Sequence, residues 1–191
     1  QEAPEVQRTL SEMWESGCSH VILEATSIGL DLNRLDYCEF EGAIFTNLTP
    51  DHLDYHLTMS AYRDAKGLLF SKIRSSGFAV INGMDAEASF FGSLVKSKSI
   101  SVIEYSHDEL GMLEMSAEGT RFRCQLVGKV EPSTLTTNLF GAYNMENLLA
   151  AIRACEVLGI DDDSLASGIV SIDKIPGRLD VVLEKPVSVV V

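Results

Sequence analysis

The chain has 191 residues, of which 46% are hydrophobic and 23% are charged, and its formal net charge at pH 7 is −13. This length and composition predict a globular fold with a sizeable core. The negative charge argues against non-specific binding to nucleic acid or to an anionic membrane, because binding to either requires basic patches. No apolar run in the sequence is long enough to span a bilayer. We therefore expect neither nucleic acid nor a membrane as a partner.

The four cysteines are Cys18, Cys38, Cys124 and Cys155, and no two of them form a Cys-x-x-Cys pair. Cysteines in such an irregular arrangement are typical of reduced, mostly buried thiols in a cytosolic protein. We therefore expect the protein to be cytoplasmic.

Apolar runs and helical patterns alternate along most of the chain, which predicts an α/β fold with a mostly parallel sheet and helices on both faces. The predicted strands, in chain order, cover residues 20–24, 43–46, 78–82, 100–104 and 187–191. The predicted helices cover residues 4–16, 58–73, 85–95, 141–158 and 161–171. Between residues 110 and 139, short alternating segments separated by turn signals predict a small antiparallel sheet packed beside the main one.

Polar side chains follow the first two predicted strands where these strands end. Glu24 and Thr26 belong to the first strand end, and Asn47 and His52 follow the second. Because open α/β sheets bind ligands outside the carboxyl ends of their strands, we expect these side chains to converge at one edge. Glu24 has a simpler alternative role, since acidic residues are also common near helix N-termini and on surfaces.

Lys66 interrupts the apolar stripe of the helix predicted over residues 58–73. The stripe consists of Met59, Tyr62, Leu69, Phe70 and Ile73. Burial of an unpaired ammonium group costs several kcal/mol, so a lysine at this position must be paired, neutral or chemically altered. A neutral, buried lysine is also nucleophilic. The alternative is that the amine reaches the surface along its methylene stem.

Two asparagines lie near the start of the helix predicted over residues 141–158. Because asparagine is a poor residue for helix interiors, Asn144 and Asn147 are expected in the first turn, as a cap or as ligand-facing amides. Capping by itself could explain Asn144, but it could not explain both asparagines. Further along the chain, Arg178 lies in a Pro-Gly-Arg turn, where a surface arginine is the simplest interpretation of that residue by itself.

Residues 46–56, Thr-Asn-Leu-Thr-Pro-Asp-His-Leu-Asp-Tyr-His, are followed by Met-x-x-Tyr-x-x-Ala-Lys-x-x-Leu-Phe at residues 59–70. This pair of motifs resembles the central ATPase domain of the Mur ligases, and among them the MurE type. Gly-x-Tyr-Asn-x-x-Asn at residues 141–147 and Pro-Gly-Arg-Leu-Asp at residues 176–180 match two further motifs of that family. The motifs occur in the family's order and spacing, so the resemblance covers nearly the whole chain.

The resemblance implies a role for each candidate site residue. Glu24 and His52 would be ligands of one Mg²⁺, and Lys66 would be carbamylated and would support that ion, which makes these three the catalytic residues. The residues that would bind ATP are Asn47, Asn144, Asn147 and Arg178, with Asn147 at the adenine. The residues that would contact the muramoyl substrate are Thr26 and Arg34.

The resemblance also implies an activity for the parent enzyme. A MurE-type enzyme is an ATP-dependent ligase that adds the third amino acid to UDP-N-acetylmuramoyl-dipeptide through an acyl phosphate. This reaction belongs to peptidoglycan precursor synthesis, and hence to cell-wall biogenesis, cell shape and cell division. The partners would be the dipeptide substrate and an amino acid, the cofactors would be ATP and Mg²⁺, and a monomer is expected. The sequence leaves open which amino acid is added.

The sequence departs from the family pattern at two positions near the expected substrate. Ile28 stands where the family has a histidine, and Leu32 stands where it has a glutamine. The sequence also contains no glycine-rich phosphate-binding loop. We therefore expect residues 1–191 to be the central ATP-binding domain of a longer chain, truncated at both ends, with the antiparallel sheet of residues 110–139 inside it. Such a fragment is not expected to turn over by itself.

Three alternatives remain open from the sequence. Another amide ligase of the same fold, such as a folylpolyglutamate or cyanophycin synthetase, fits the general pattern but fits the Asp-His-Leu-Asp-Tyr-His motif less well. A zinc hydrolase would use His52 and His56 at positions i and i+4, although the glutamate that usually follows the first histidine is missing. A non-catalytic Mur-like binding protein would be consistent with Ile28 and Leu32.

Overall fold

The computed structural model describes residues 2–96, 99–116, 119–173, 175–176, 181–183 and 189–190. Its α-helices are α1 (Ala3–Glu15), α2 (Ser27–Asp31), α3 (Leu53–His56), α4 (Met59–Ser71), α5 (Ala88–Val95), α6 (Ala142–Val157) and α7 (Asp162–Ser171). Its strands are β1 (Phe40–Phe45), β2 (Ile73–Asn82), β3 (Ser101–Tyr105), β4 (Leu110–Ser116), β5 (Gly119–Cys124), β6 (Ser133–Thr137), β7 (Val181–Leu183) and β8 (Val189–Val190). None of these described helices is long and apolar enough to cross a membrane.

Two three-stranded sheets differ in strand direction. The first is parallel with the order β1-β2-β3, and the second is antiparallel with the order β4-β5-β6. In the second sheet, Phe122 lies opposite Met112 on one side and opposite Leu135 on the other. This mixed α/β architecture confirms the predicted fold class, and strands β4 to β6 confirm the antiparallel sheet predicted between residues 110 and 139.

The chain divides into two compact units, one formed by Gln1–Ala79 with Asp85–Val102 and the other by Val80–Met84 with Ile103–Val191. The first unit contains the candidate magnesium residues and helix α4. The second unit contains the antiparallel sheet and helix α6, with the two candidate asparagines. The interpretation of residues 1–191 as the central domain of a longer chain stays a prediction.

Strand β2 is the central strand of the parallel sheet. Its residues from Phe78 to Ile81 are each at most 5% exposed, so side chains on both faces of the strand are covered. The uninterrupted apolar run predicts this burial, because other elements cover both faces of a parallel sheet. In β1 the burial alternates instead: Ala43 and Phe45 are buried, whereas Ile44 is 42% exposed.

Residues 20–24 form no strand, so the sequence-based prediction is wrong for this segment. Val21 is 44% exposed and Ile22 is 100% exposed, whereas Leu23 packs against a small core around Leu30. An apolar run becomes a strand only where a neighbouring strand takes up its backbone hydrogen bonds. In the described part of the chain, no strand pairs with this segment.

Helix α4 is held at its start by a capping residue and along its side by close packing. Thr58 Oγ1 accepts a hydrogen bond from Ala61 N at 3.2 Å, which is the usual N-cap geometry. Phe70 is buried, as its place in the predicted stripe requires. Gly67 faces α5 so closely that a Cβ there would lie 3.0 Å from Leu94 Cδ1. The helix that carries Lys66 is therefore fixed against its neighbour.

A buried ion cluster holds helix α6 in the second unit. Arg153 donates to Glu109 Oε2 at 2.6 Å, to Glu156 Oε2 at 2.7 Å and to the Gln125 carbonyl oxygen at 3.1 Å. Its side chain is only 8% exposed, and a buried charge of this kind is tolerated because it is paired and hydrogen-bonded. The cavity of about 400 Å³ beside this cluster is lined by none of the predicted site residues.

Gly77 in β2 has no room for a side chain. A Cβ there would overlap the carbonyl oxygen of Glu41 and lie 2.6 Å from Ile73 Cγ2. We therefore predict that Gly77→Ala lowers the free energy of unfolding by about 2 kcal/mol, as overpacking does in other cores. In helix α7, a Cβ at Gly168 would meet nothing within 4 Å, so the control Gly168→Ala should raise the free energy of unfolding by about 1 kcal/mol or less. Urea denaturation measures the free energy of unfolding of both variants. A denaturation midpoint of Gly77→Ala equal to that of the wild type would contradict the prediction.

Candidate functional site

The loop that follows β1 is fixed by Asp85. Its Oδ2 accepts a hydrogen bond from Leu48 N at 2.8 Å, and its Oδ1 accepts one from Glu87 N at 2.9 Å. One carboxylate therefore ties the loop that carries the exposed Asn47 to the start of α5. The sequence marks Asp85 only as the start of a helix, because its partner Leu48 is 37 residues away.

His52 adopts a left-handed backbone conformation, with φ 52° and ψ 27°. The backbone N–H of His52 donates a hydrogen bond to Asp51 Oδ1 at 2.8 Å, and its ring Nε2 lies 3.6 Å from Asp51 Oδ2. Left-handed non-glycine residues are uncommon, and they concentrate at functional sites where the surrounding structure holds them in place. The His52 side chain is 42% exposed, so it is accessible to a ligand from solvent.

The buried ring of Tyr62 is surrounded by three basic side chains. The ring of His56 stacks on it with 5.4 Å between centroids, His52 approaches it edge-on at 6.0 Å, and Lys66 Nζ lies 5.2 Å from its centroid. These distances are in the range of aromatic and cation–π contacts. The sequence indicated Tyr62 only as part of an apolar stripe. Its spacing of i to i+4 from Lys66 is the local signal that predicts a contact between them.

Lys66 is half-buried in helix α4. Desolvation lowers the pKa of its amine below the usual 10.5, while the negative charges of Asp51 and Glu24 act in the opposite direction. Burial has the larger effect, so the neutral form of the Lys66 amine is favoured more than it would be at an exposed position. Glu24, Asp51 and Lys66 therefore lie within one electrostatic neighbourhood.

A buried hydrogen bond ties the segment that carries Glu24 to helix α3. Ser27 is 2% exposed and His56 is 7% exposed, and Ser27 Oγ lies 2.9 Å from His56 Nε2. Thr26 caps helix α2, because its Oγ1 accepts a hydrogen bond from Gly29 N at 3.1 Å. Glu24 itself is exposed, so it is accessible to a ligand from solvent.

Arg34 combines an exposed contact with a buried nitrogen. Its Nη2 forms an ion pair with Glu2 at 3.3 Å, whereas its Nε is buried and has no hydrogen-bond partner within the described residues. A buried N–H of a charged group is costly when it is not hydrogen-bonded.

Helix α6 places Asn144 in its first turn and Asn147 in its second. The first-turn prediction is therefore confirmed for Asn144 and wrong for Asn147, because Gly141, with φ 88°, sets the helix start earlier than the asparagines suggest. Asn144 is buried, and its Nδ2 donates to the Phe140 carbonyl oxygen at 3.0 Å. Asn147 is exposed. Arg178 lies outside the described residues.

Comparison with known proteins decides the family. Residues 1–155 match the profile of the Mur ligase middle domain. The chain belongs to the Mur ligase family.

Its similarity to named ligases extends over almost the whole chain. It is 35% identical over 188 residues to the UDP-N-acetylmuramoyl-L-alanyl-D-glutamate--2,6-diaminopimelate ligase of Geobacillus kaustophilus. The aligned region covers 94% of this chain and 38% of that relative. It is 38% identical over 183 residues to the ligase of the same name from Gloeobacter violaceus, and this aligned region covers 93% of this chain and 36% of that relative. The chain thus spans somewhat more than a third of the length of these relatives.

A solved structure of a ligase with that name has the same fold. The TM-score is 0.83 with 31% identity, over 96% of this chain and 39% of the other. The suspected relation to the MurE type is therefore confirmed for this part of the chain.

The described side chains of this Mur ligase domain do not complete a magnesium site by themselves, and a modified Lys66 would be needed to complete one. Within the described ranges, no group of three or more His, Cys, Asp or Glu side chains could hold a metal ion. Mg²⁺ prefers oxygen ligands and commonly binds through only one or two protein carboxylates. A carbamate on Lys66 would add an anionic oxygen where the structure has a desolvated amine.

The zinc-hydrolase alternative is weakened by the position of His56. Its Nε2 is paired with Ser27 Oγ, and its ring is stacked on Tyr62. His52 lies at the N-cap of α3 in a left-handed conformation rather than inside a helix. The two histidines therefore lack the regular helical arrangement on which zinc-binding pairs at i and i+4 depend.

The lowered pKa of Lys66 predicts a specific pH dependence of stability. Since the folded-state pKa lies below the unfolded value of 10.5, the unfolded chain binds more protons than the folded chain between these two values. The unfolding free energy of the wild type, relative to that of Lys66→Met, should therefore rise with pH through this window and stay constant below it. Urea denaturation of both chains in CO₂-depleted buffer measures the difference. A difference that falls, or that stays flat up to pH 10.5, would contradict the prediction.

Proposed function

We propose that the full-length protein is an ATP-dependent ligase of the MurE type, which joins the third amino acid to UDP-N-acetylmuramoyl-dipeptide by an amide bond. The observation that carries this proposal is Lys66, desolvated against Tyr62 and within the electrostatic reach of Glu24 and Asp51. The resemblance to the Mur ligases implies that such a lysine completes a metal site together with Glu24 and His52.

The proposed reaction brings two anions together, the dipeptide carboxylate and the terminal phosphate of ATP. Positive charge is needed between them, and Mg²⁺ held by Glu24, His52 and carbamylated Lys66 would supply it. For that modification the neutral Lys66 amine attacks CO₂, one N–C bond forms and one proton is lost to solvent. Burial of Lys66 favours the neutral amine that this step requires.

The dipeptide carboxylate would attack the terminal phosphorus of ATP, the bond from that phosphorus to the bridging oxygen would break, and an acyl phosphate and ADP would result. The amine of the incoming amino acid then attacks the acyl carbon, and phosphate leaves as the amide forms. Thr26 and Arg34 would hold the muramoyl substrate, as the resemblance to the family implies. Asn47, Asn144, Asn147 and Arg178 would bind ATP; of these, Asn47 and Asn147 are exposed.

We further propose that the added amino acid is 2,6-diaminopimelate, because the ligases to which the chain is similar carry that substrate in their names. The remaining parts of the proposal are a cytoplasmic enzyme, a monomeric state, and no turnover by residues 1–191 alone. The phosphate-binding loop that such a ligase needs would lie in another part of the parent protein.

The proposal is tested by phosphate release from ATP by the full-length protein with Mg²⁺, UDP-N-acetylmuramoyl-dipeptide and a panel of amino acids. We predict release that depends on both the dipeptide and 2,6-diaminopimelate. Lys66→Ala should lower kcat by at least about 100-fold, the loss typical of removing a charge that stabilises the transition state. The exposed Lys96 provides the control, and Lys96→Ala should retain full activity.

Each other outcome points to a definite alternative. Wild-type turnover by Lys66→Ala would contradict the assignment of Lys66. Release with a different amino acid would correct the substrate but keep the ligase. Release that requires a folate or another acid in place of the muramoyl dipeptide would favour another ligase of this fold. Binding of ATP and Mg²⁺ without release under any condition would favour the non-catalytic binding protein.

A further inference from the structure

The three candidate magnesium-binding residues come from three separate segments of the first unit. Glu24 lies in the irregular segment before α2, His52 lies at the start of α3, and Lys66 lies inside α4. A shared metal ion requires that these segments keep fixed positions relative to one another. The contacts between the segments therefore matter as much as the candidate ligands themselves.

Tyr62 makes the contact between two of these segments. It lies one turn before Lys66 on α4, and it is only 5% exposed. The Lys66 amine lies 5.2 Å from the centroid of its ring, and the His52 ring meets it edge-on at 6.0 Å with an interplanar angle of 90°. A flat aromatic ring thus contacts both candidate ligands without contributing a ligand atom.

His56 connects the same ring to the third segment. Its imidazole lies nearly parallel to the Tyr62 ring, at an interplanar angle of 26°, while its Nε2 is 2.9 Å from Ser27 Oγ. Ser27 begins α2 three residues after Glu24. A second tie runs in parallel, since Tyr55 donates a hydrogen bond to Asp31 Oδ2 at 2.8 Å.

We propose that Tyr62 and His56 are positioning residues for the magnesium ligands: the Tyr62 ring sets the positions of His52 and Lys66, and His56 connects this ring through Ser27 to the segment that carries Glu24. The inference rests on the proposed function, because it takes these three residues as the metal-binding set. According to this inference, the effect on metal affinity comes from the Tyr62 ring and not from its hydroxyl group. Neither Tyr62 nor His56 is assigned a bond to the metal.

The test is the affinity of the full-length protein for Mn²⁺, measured by electron paramagnetic resonance with the metal alone. Tyr62→Leu keeps an apolar side chain but removes the ring, and we expect it to raise the Kd for Mn²⁺ about tenfold or more, the usual effect of removing a residue that orients metal ligands. Tyr62→Phe keeps the ring, so its Kd should stay within about twofold of the wild-type value, because the stacking and cation–π contacts use the ring face.

A purely structural role would lower the thermal midpoint of Tyr62→Leu and leave the Mn²⁺ affinity of the folded protein unchanged. That result, measured well below the midpoint, would overturn the inference. An equal loss of affinity in Tyr62→Phe would also overturn it, since the hydroxyl group would then be responsible.

Ser27→Ala provides a second variant in case Tyr62→Leu does not fold. It removes one oxygen atom, keeps every aromatic ring and breaks the connection to His56. A weaker Mn²⁺ affinity in this variant supports the inference, and an unchanged affinity overturns it.

Lys66→Ala separates failure of this inference from failure of the proposed metal site. If Lys66→Ala loses Mn²⁺ binding while Tyr62→Leu and Ser27→Ala bind as the wild type does, the metal site stands and the positioning role is wrong. If Lys66→Ala binds Mn²⁺ as the wild type does, or the wild type binds none, the proposed metal site is wrong and the positioning role fails with it.

Discussion

The desolvation of one amine dominates the chemistry of the first unit. Lys66 occupies a position on α4 where the helical pattern calls for an apolar residue, and its amine lies against the face of Tyr62. Burial lowers its pKa, and the negative charges of Asp51 and Glu24 only partly oppose this effect. An amine in such a place is more readily neutral than a surface lysine and thus more readily modified. A carbamate would remove the conflict by placing a negative charge beside a divalent ion.

The surrounding structure serves to hold this arrangement. Asp85 fixes the loop after β1 with a carboxylate that accepts two backbone hydrogen bonds, and His52 is held in a left-handed conformation at the end of that loop. Such a conformation costs on the order of 1–3 kcal/mol and persists where neighbouring contacts enforce it. The buried contact between Ser27 and His56 also fixes the segment that carries Glu24. Loops, rather than regular strands, therefore carry two of the three candidate ligands, on a rigid base provided by α4.

Local patterns predicted those elements whose stability is local. The helical stripe as far as Phe70, the continuous run of β2 and the alternating segments between residues 110 and 139 lie where the pattern placed them. Ile73, predicted as the last residue of that stripe, instead begins strand β2. Residues 20–24 were predicted incorrectly, because a strand depends on a hydrogen-bonded neighbour that the run itself does not reveal. The role of His56 was equally invisible, since its partner Ser27 is 29 residues away. Lys66 could be singled out because its conflict with the helical pattern is visible within a single helix.

Anomalous diffraction from crystals of the full-length protein soaked with Mn²⁺ would locate the metal relative to Lys66. We expect one anomalous peak bordered by Glu24, His52 and the end of the Lys66 side chain, with additional density on Lys66 Nζ for a carbamate. A peak at other residues, together with an unmodified Lys66 that extends into solvent, would contradict it.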